Sequence, residues 1–151
     1  MKTICADTCF FIALYDARDQ YHKEAGAHFV DLFANGTNQL LVAWPVVYET
    51  FCTRMTRNRV ALAKLQRDWN HLTSERRLQL LPDDPFRDGV IDECFRELRV
   101  LDHYRALSAG DRVIRRMISD RNVRIDALVT FNARDFADVC RRFGRQMYPH
   151  A

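Results

Sequence analysis

A chain of 151 residues with a net charge of +3, of which 48% are hydrophobic and 28% charged, has the composition of an ordinary globular protein. Its length predicts one domain, 1–151, able to bury roughly 70% of its unfolded surface. No apolar run approaches the roughly 20 residues of a membrane helix, and five cysteines without C-x-x-C spacing argue against a disulfide framework or a zinc site. Thr3–Ala6 reads as a short strand that runs directly into Asp7, and Phe10, Phe11 and Leu14 then stand near helical spacing. Asp7 would interrupt the apolar core of a leader, so no signal peptide is read, and free thiols suit a reducing cytoplasmic setting. A second helix is predicted over 22–35, with Ala25, Phe29, Leu32 and Phe33 as its apolar stripe and Asn35-Gly36 as its stop. Leu40–Trp44 is a continuous apolar run closed by a proline, the pattern of a buried parallel strand. Pro45 opens the helix that carries Val46, Val47, Glu49 and Thr50.

Val60–Leu72 is predicted helical, Leu78–Leu81 a third strand, and Pro82-Asp83-Asp84-Pro85 a turn. A long amphipathic helix follows over about 86–100 and extends toward Tyr104. Ser108 is the expected N-cap of a helix through Asp111, Val113, Ile114, Met117 and Ile118. Ala127–Thr130 is a fourth strand, Asn132–Phe136 leads into a helix ending near Phe143, and Gln146–Tyr148 is an edge strand. Asp126, at the start of the fourth strand, is read as turn chemistry, and Trp44 as core. Strands alternating with helices imply an α/β fold with a mainly parallel sheet of four to five strands, covered on both faces.

In an open parallel sheet, ligands bind beyond the carboxyl ends of the strands. Asp7 ends the first strand, Glu49 lies one turn past the second, Asp111 is in the first turn of the helix before the fourth, and Asp135 follows the fourth. Each alone has a bland reading: Asp7 or Asp135 as a helix cap, Glu49 and Asp111 as exposed helix charge. Together they would repel, by about 4 kcal/mol for a pair some 4 Å apart at an effective dielectric of 20. A hard cation such as Mg²⁺ or Mn²⁺ resolves that conflict. It can also acidify a water and polarise a phosphoryl oxygen.

Of the 23 basic residues, 20 are arginine, a residue suited to bidentate phosphate contacts. Arg54, Arg57, Arg112 and Arg134 are the candidates for nucleic-acid contact, although charge runs are also the ordinary composition of solvated helix faces. Histidines in ligand spacing and Gly-rich phosphate loops are missing from the sequence.

Four segments in order resemble the motifs of PIN-domain ribonucleases. They are Ala6-Asp7-Thr8-Cys9-Phe10-Phe11-Ile12-Ala13-Leu14, Val46-Val47-Tyr48-Glu49-Thr50, Leu107-Ser108-Ala109-Gly110-Asp111-Arg112-Val113-Ile114 and the run from Asp126 to Phe136. The resemblance implies a three-layer α/β/α PIN-like fold and a Mg²⁺- or Mn²⁺-dependent endoribonuclease, the VapC-like toxin of a toxin–antitoxin pair. It implies Asp7, Glu49 and Asp111 as metal-holding catalytic acids, with Thr8 and Thr130 in support. Asn132 stands where the family commonly has Asp: either Asp135 takes over the fourth charge, or Asn132 offers its carbonyl oxygen as a neutral ligand. An RNA substrate, a small antitoxin partner and a cytoplasmic location follow from the same resemblance. A homodimer is compatible with it, and a membrane role is not. The rival reading is a catalytically weak or inactive module that binds RNA or protein, for which Asn132 is the best support. A phosphohydrolase with a covalent aspartate would need a second acid two residues after Asp7, where this chain has Cys9.

Overall fold

The computed structural model of the protein describes residues 1–34, 36–97 and 106–149. Five parallel strands form the sheet: β1 (Thr3–Ala6), β2 (Gln39–Ala43), β3 (Leu78–Leu81), β4 (Ala127–Val129) and β5 (Gln146–Tyr148). Their order across it is β3-β2-β1-β4-β5, so the chain winds outward in one direction from β1 and then crosses to its other side. β1 and β4 are therefore adjacent, Cys5 pairing with Leu128, and a topological switch point lies where their carboxyl ends meet. The residues of β1 and β4 are all buried, as continuous apolar runs in a sheet covered on both faces should be.

The helices form the two outer layers. α1 (Thr8–Tyr15) packs on α2 (His22–Phe29), on α3 (Trp44–Thr50) and on α5 (Arg59–Ser74). α4 (Thr53–Arg57) packs on α5. α7 (Ala109–Ser119) packs on α3, on α6 (Val90–Glu97) and on α8 (Ala133–Arg142). Phe10, Phe11, Phe33 and Phe136 are among the largest fully buried side chains. No helix among the described residues is long and apolar enough to cross a membrane.

Several boundaries differ from expectation for identifiable reasons. The helix expected over 22–35 is α-helical only to Phe29 and then widens into a π turn over Val30–Ala34. That turn buries Leu32 and Phe33, and the loosened carbonyls of these residues accept from Asn38 Nδ2 at 3.0 Å and Arg77 Nη2 at 2.5 Å. Asn35 lies outside the described residues. The helix expected from Phe86 begins instead at Val90, after a short 3₁₀ turn over Asp84–Phe86. Gly89 separates the two at φ 73°, a conformation that breaks helical continuity. Residues 98–105, Tyr104 included, lie outside the described residues. Trp44 opens α3 rather than closing β2, and its half-buried ring lies 5.5 Å from that of Tyr48. Asp126 does serve the turn before β4: its Oδ2 accepts the Thr3 N–H at 2.7 Å, at the sheet edge opposite Asp7.

The centre of the sheet sets the stability of the whole. Leu41, 2% exposed in the middle of β2, should on substitution by Ala lose about 2–5 kcal/mol, measured by urea unfolding.

Candidate active site

Asp7 leaves the end of β1 with its own N–H bonded to the Val129 carbonyl at 3.1 Å. Its Oδ1 accepts the Thr8 N–H at 2.7 Å, so it is the N-cap of α1. Its Oδ2 turns toward the end of β4 and accepts the Thr130 hydroxyl at 2.8 Å and the Cys9 thiol at 3.1 Å. The cap reading and the strand-end reading of Asp7 are thus both true of one side chain. The network runs on: the Thr130 hydroxyl accepts the Asn132 N–H at 2.9 Å, and Cys9 Sγ accepts the Phe131 N–H at 3.2 Å.

Glu49 reaches the same place from α3. Its Oε2 accepts the Thr8 hydroxyl at 2.5 Å, so Thr8 holds one carboxylate by its N–H and another by its side chain. The first turn of α7 closes on Glu49 from the other side. A Cβ at Gly110 would lie 2.8 Å from Glu49 Oε1, which explains a glycine at this point of a helix. Asp111 follows, inside a capping box: its Oδ2 accepts the Ser108 N–H at 3.1 Å and the Ser108 hydroxyl at 2.7 Å, while its N–H donates to Ser108 Oγ at 3.0 Å. The capping expected of Ser108 is therefore present, and Asp111 is half of it.

The electrostatics link the three acids. Burial pushes the Asp7 carboxyl above its ordinary range; hydrogen bonds from Cys9, Thr130 and Thr8 pull it back, and the charge of Asp111 raises it further. Burial likewise raises Glu49; the Thr8 hydroxyl opposes this, and the charges of Asp7 and Asp111 add to it. Among the described residues, the ion pairs of the arginines go to other acids, such as Asp16, Asp83, Glu93 and Asp138. Hard oxygen donors that repel one another suit a divalent cation in kind. As placed, no three His, Cys, Asp or Glu side chains among the described residues stand close enough to hold one ion.

Asp135 is buried in the first turn of α8, which starts at Ala133 and has Asn132 at its N-cap position. The expectation that Asp135 caps a helix beginning near Phe136 is therefore corrected. Its Oδ2 accepts the Asn132 side-chain amide, and its carbonyl accepts from Arg115 Nη1 at 2.5 Å. Asn132 thus joins Asp135 to the Thr130–Asp7 bond.

The arginines divide. Arg57 and Arg134 are exposed at helix ends. Arg54 is exposed too, but pairs with Asp16 at 2.5 Å. Arg112 is buried, with Nη1 3.6 Å from Glu93 Oε2, so it braces α7 against α6 rather than standing out toward solvent as expected. Two residues of the site were not foreseen. The sequence gives Cys9 no role in holding an acid, yet burial and the charge of Asp7 push its thiol up to about 12, which keeps it a proton donor to Asp7. Gly110 has no chemistry of its own to mark it; only the approach of Glu49 shows why it is there.

The chain is similar in fold to Mycobacterium tuberculosis VapC20, described as a Sarcin-Ricin loop cleaving toxin, whose crystal structure it matches with a TM-score of 0.58 at 19% identity, over 89% of this chain and 94% of that one. Neither a family model nor a curated protein matches it. The α/β architecture with an all-parallel central sheet is consistent with the PIN-like fold expected from the four motifs.

Two outcomes follow from this geometry. Gly110→Ala should keep or raise the melting temperature, because Ala is favoured over Gly in a helix by about 1 kcal/mol and Glu49 is exposed enough to swing away. The same change should lower any activity that needs Glu49 in place, checked by thermal melts beside a cleavage assay. The second concerns pH. Asp7 and Glu49 ionise less readily folded than unfolded, so they cost nothing when protonated. In EDTA the protein should lose stability as pH rises from the ordinary carboxylate pKa, about 4, toward their raised values. Asp7→Asn removes its share of that loss, so its melting temperature relative to wild type should be higher at pH 7 than at pH 4.

Proposed function

We propose that this protein is a divalent-metal-dependent endoribonuclease and the toxin of a toxin–antitoxin pair, acting in the cytoplasm with a small protein antitoxin as partner. The observation that carries the reading is the gathering of Asp7 and Glu49 around Thr8 at the switch point of the sheet, both carboxyls raised first by burial and then by like charge, Asp7 by that of Asp111 and Glu49 by those of Asp7 and Asp111. The likeness in fold to a toxin described as cleaving an RNA loop supports it.

Asp7, Glu49 and Asp111 are the acids that would hold Mg²⁺ or Mn²⁺ once drawn closer than they stand here, with Asp135 supplying the fourth charge directly or through water. Bound there, the ion supplies positive charge to a phosphoryl oxygen and lowers the pKa of a water. The chain's own residues do the positioning. Thr8 fixes one oxygen of Asp7 and one of Glu49, leaving Glu49 Oε1 toward α7. Thr130 and Cys9 fix the second oxygen of Asp7. Ser108 fixes Oδ2 of Asp111. Hydrolysis with water as the nucleophile needs no ribose 2′-hydroxyl; with the 3′-oxygen departing and taking up a proton, it leaves a 5′-phosphate and a 3′-hydroxyl. Single-stranded or loop RNA is the substrate class whose bases are accessible. Beside Glu49 a cavity of ≈ 370 Å³ opens between α3, α6 and α7, with Tyr48 and Val113 among its walls, where a nucleotide can lie.

Labelled RNA should be cleaved with Mn²⁺ and left intact with EDTA. Asp7→Ala, Glu49→Ala and Asp111→Ala should each abolish cleavage with the circular dichroism of a folded protein, Asp111→Ala also giving up about 1 kcal/mol with its capping box. Thr130→Val should weaken Mn²⁺ binding by roughly 10–100-fold, as loss of a ligand's hydrogen-bond partner does. Wild-type rates in any of the three acid variants would remove that acid from the site. RNA binding without cleavage would leave the non-catalytic module.

A further inference from the structure

Away from the acids, α8 ends at Arg142 and the chain turns through Gly144 into β5. Arg121, Arg142, Phe143, Gly144 and Arg145 line an open hollow of ≈ 460 Å³ there, with no acidic residue in its wall. Arg145 is held in place across it, Nε and Nη2 donating to the carbonyls of Ile118 and Asp120 at 3.4 and 3.5 Å, where α7 ends. Arg121 and Arg142 are exposed and in no ion pair among the described residues. The acids nearest in sequence are committed elsewhere: Asp120 Oδ1 accepts the Asn122 N–H at 2.8 Å, and Asp138 is held by both Nη atoms of Arg115 at 2.6 Å. A neighbouring hollow of ≈ 440 Å³ shares Arg142 and Phe143, but its Arg115 and Arg116 are neutralised by Asp138 and Glu93. Three guanidiniums against the one carboxylate of Asp120 thus leave positive charge in excess at this end. It stands beside an aromatic ring, the Arg142 guanidinium carbon lying 5.7 Å from the centre of Phe143.

We propose that the Arg121–Arg142–Arg145 hollow is a second contact site for single-stranded RNA. Guanidiniums grip phosphates with bidentate hydrogen bonds, and an aromatic face accepts a stacked base of any identity. The hollow abuts the entries to β4 and β5, whereas Asp7 lies past the exit of β1. At about 3.3 Å per strand residue the two places are roughly 10 Å or more apart. A dinucleotide has only the phosphate seated at the acids and offers none to the hollow; a longer strand does. The site therefore binds the substrate's flank and acts on affinity rather than on the chemical step. This inference rests on RNA being the substrate, as proposed above.

The test removes two charges, Arg121→Gln/Arg142→Gln, against a control pair on the surface of α5 and its end, Arg67→Gln/Arg76→Gln. In an Asp7→Asn background, binding of a long unstructured fluorescent RNA is followed by anisotropy across salt concentration. Two lost phosphate contacts on single-stranded RNA should flatten the log Kd against log salt slope by about 1.4, with little change in the control. In the otherwise wild-type protein, KM for the long RNA should rise while kcat, and the cleavage of a dinucleotide, stay unchanged. An unchanged slope, or an equal flattening in the control, overturns the second site while cleavage by the wild type leaves the nuclease reading intact. Wild-type protein that neither binds nor cleaves RNA overturns both.

Discussion

A carboxylate taken out of water must find donors for its oxygens, and Asp7 is where this chain meets that demand. It is 5% exposed and receives hydrogen bonds from Thr8, Thr130 and Cys9. These donors come from its own helix and from the strand end beside it, so satisfying one side chain fixes the start of α1 and the loop leaving β4. A buried polar group left without a partner costs about 1–3 kcal/mol, more if charged. The position of Thr130 is in turn what holds the Asn132 N–H, and Asn132 holds Asp135. The arrangement of the candidate site is thus dictated by the desolvation of its central acid.

The remaining acids are held by groups that also have structural work. Glu49 shares Thr8 with Asp7, and Asp111 spends one oxygen on the cap of α7. This double use permits a cluster of like charge to persist in a folded protein. The capping box stabilises the helix that carries the charge, and the glycine before Asp111 lets that helix approach Glu49. The repulsion that remains would be relieved by positive charge brought to the site.

The sequence carried much of this because strands and acids obey simple rules. Thr3–Ala6, Leu78–Leu81 and Gln146–Tyr148 were legible as short apolar or alternating segments bounded by breakers, and their observed limits agree. Asp7, Glu49 and Asp111 were legible as acids past strand ends or in a first helical turn. Where reading failed, a tertiary contact had overruled local pattern. The π turn after Phe29 depends on Asn38 and Arg77, which are distant in sequence. The burial of Arg112 depends on Glu93 of another helix. The hydrogen bond of Cys9 depends on a buried carboxylate two residues before it, which no spacing rule for cysteine anticipates.

The β1–β4 pair is bolted at both ends by aspartates of opposite strands. At one end Asp126, just before β4, takes the Thr3 N–H of β1; at the other Asp7, just after β1, takes the Thr130 hydroxyl beyond β4. A strand pair locked this way cannot slide by a residue without breaking both bolts. Among the described residues β2 is fastened by a side chain to a β1-flanking N–H at the entry edge alone, where Asn38 Oδ1 takes the Lys2 N–H at 2.9 Å, and β3 is only half-buried. Native-state breathing therefore starts at the margins of the sheet and reaches its centre last. The amides of β1 and β4 should exchange with solvent deuterium most slowly, and Asp7, bonded between the two strands, keeps its place through openings that spare this pair.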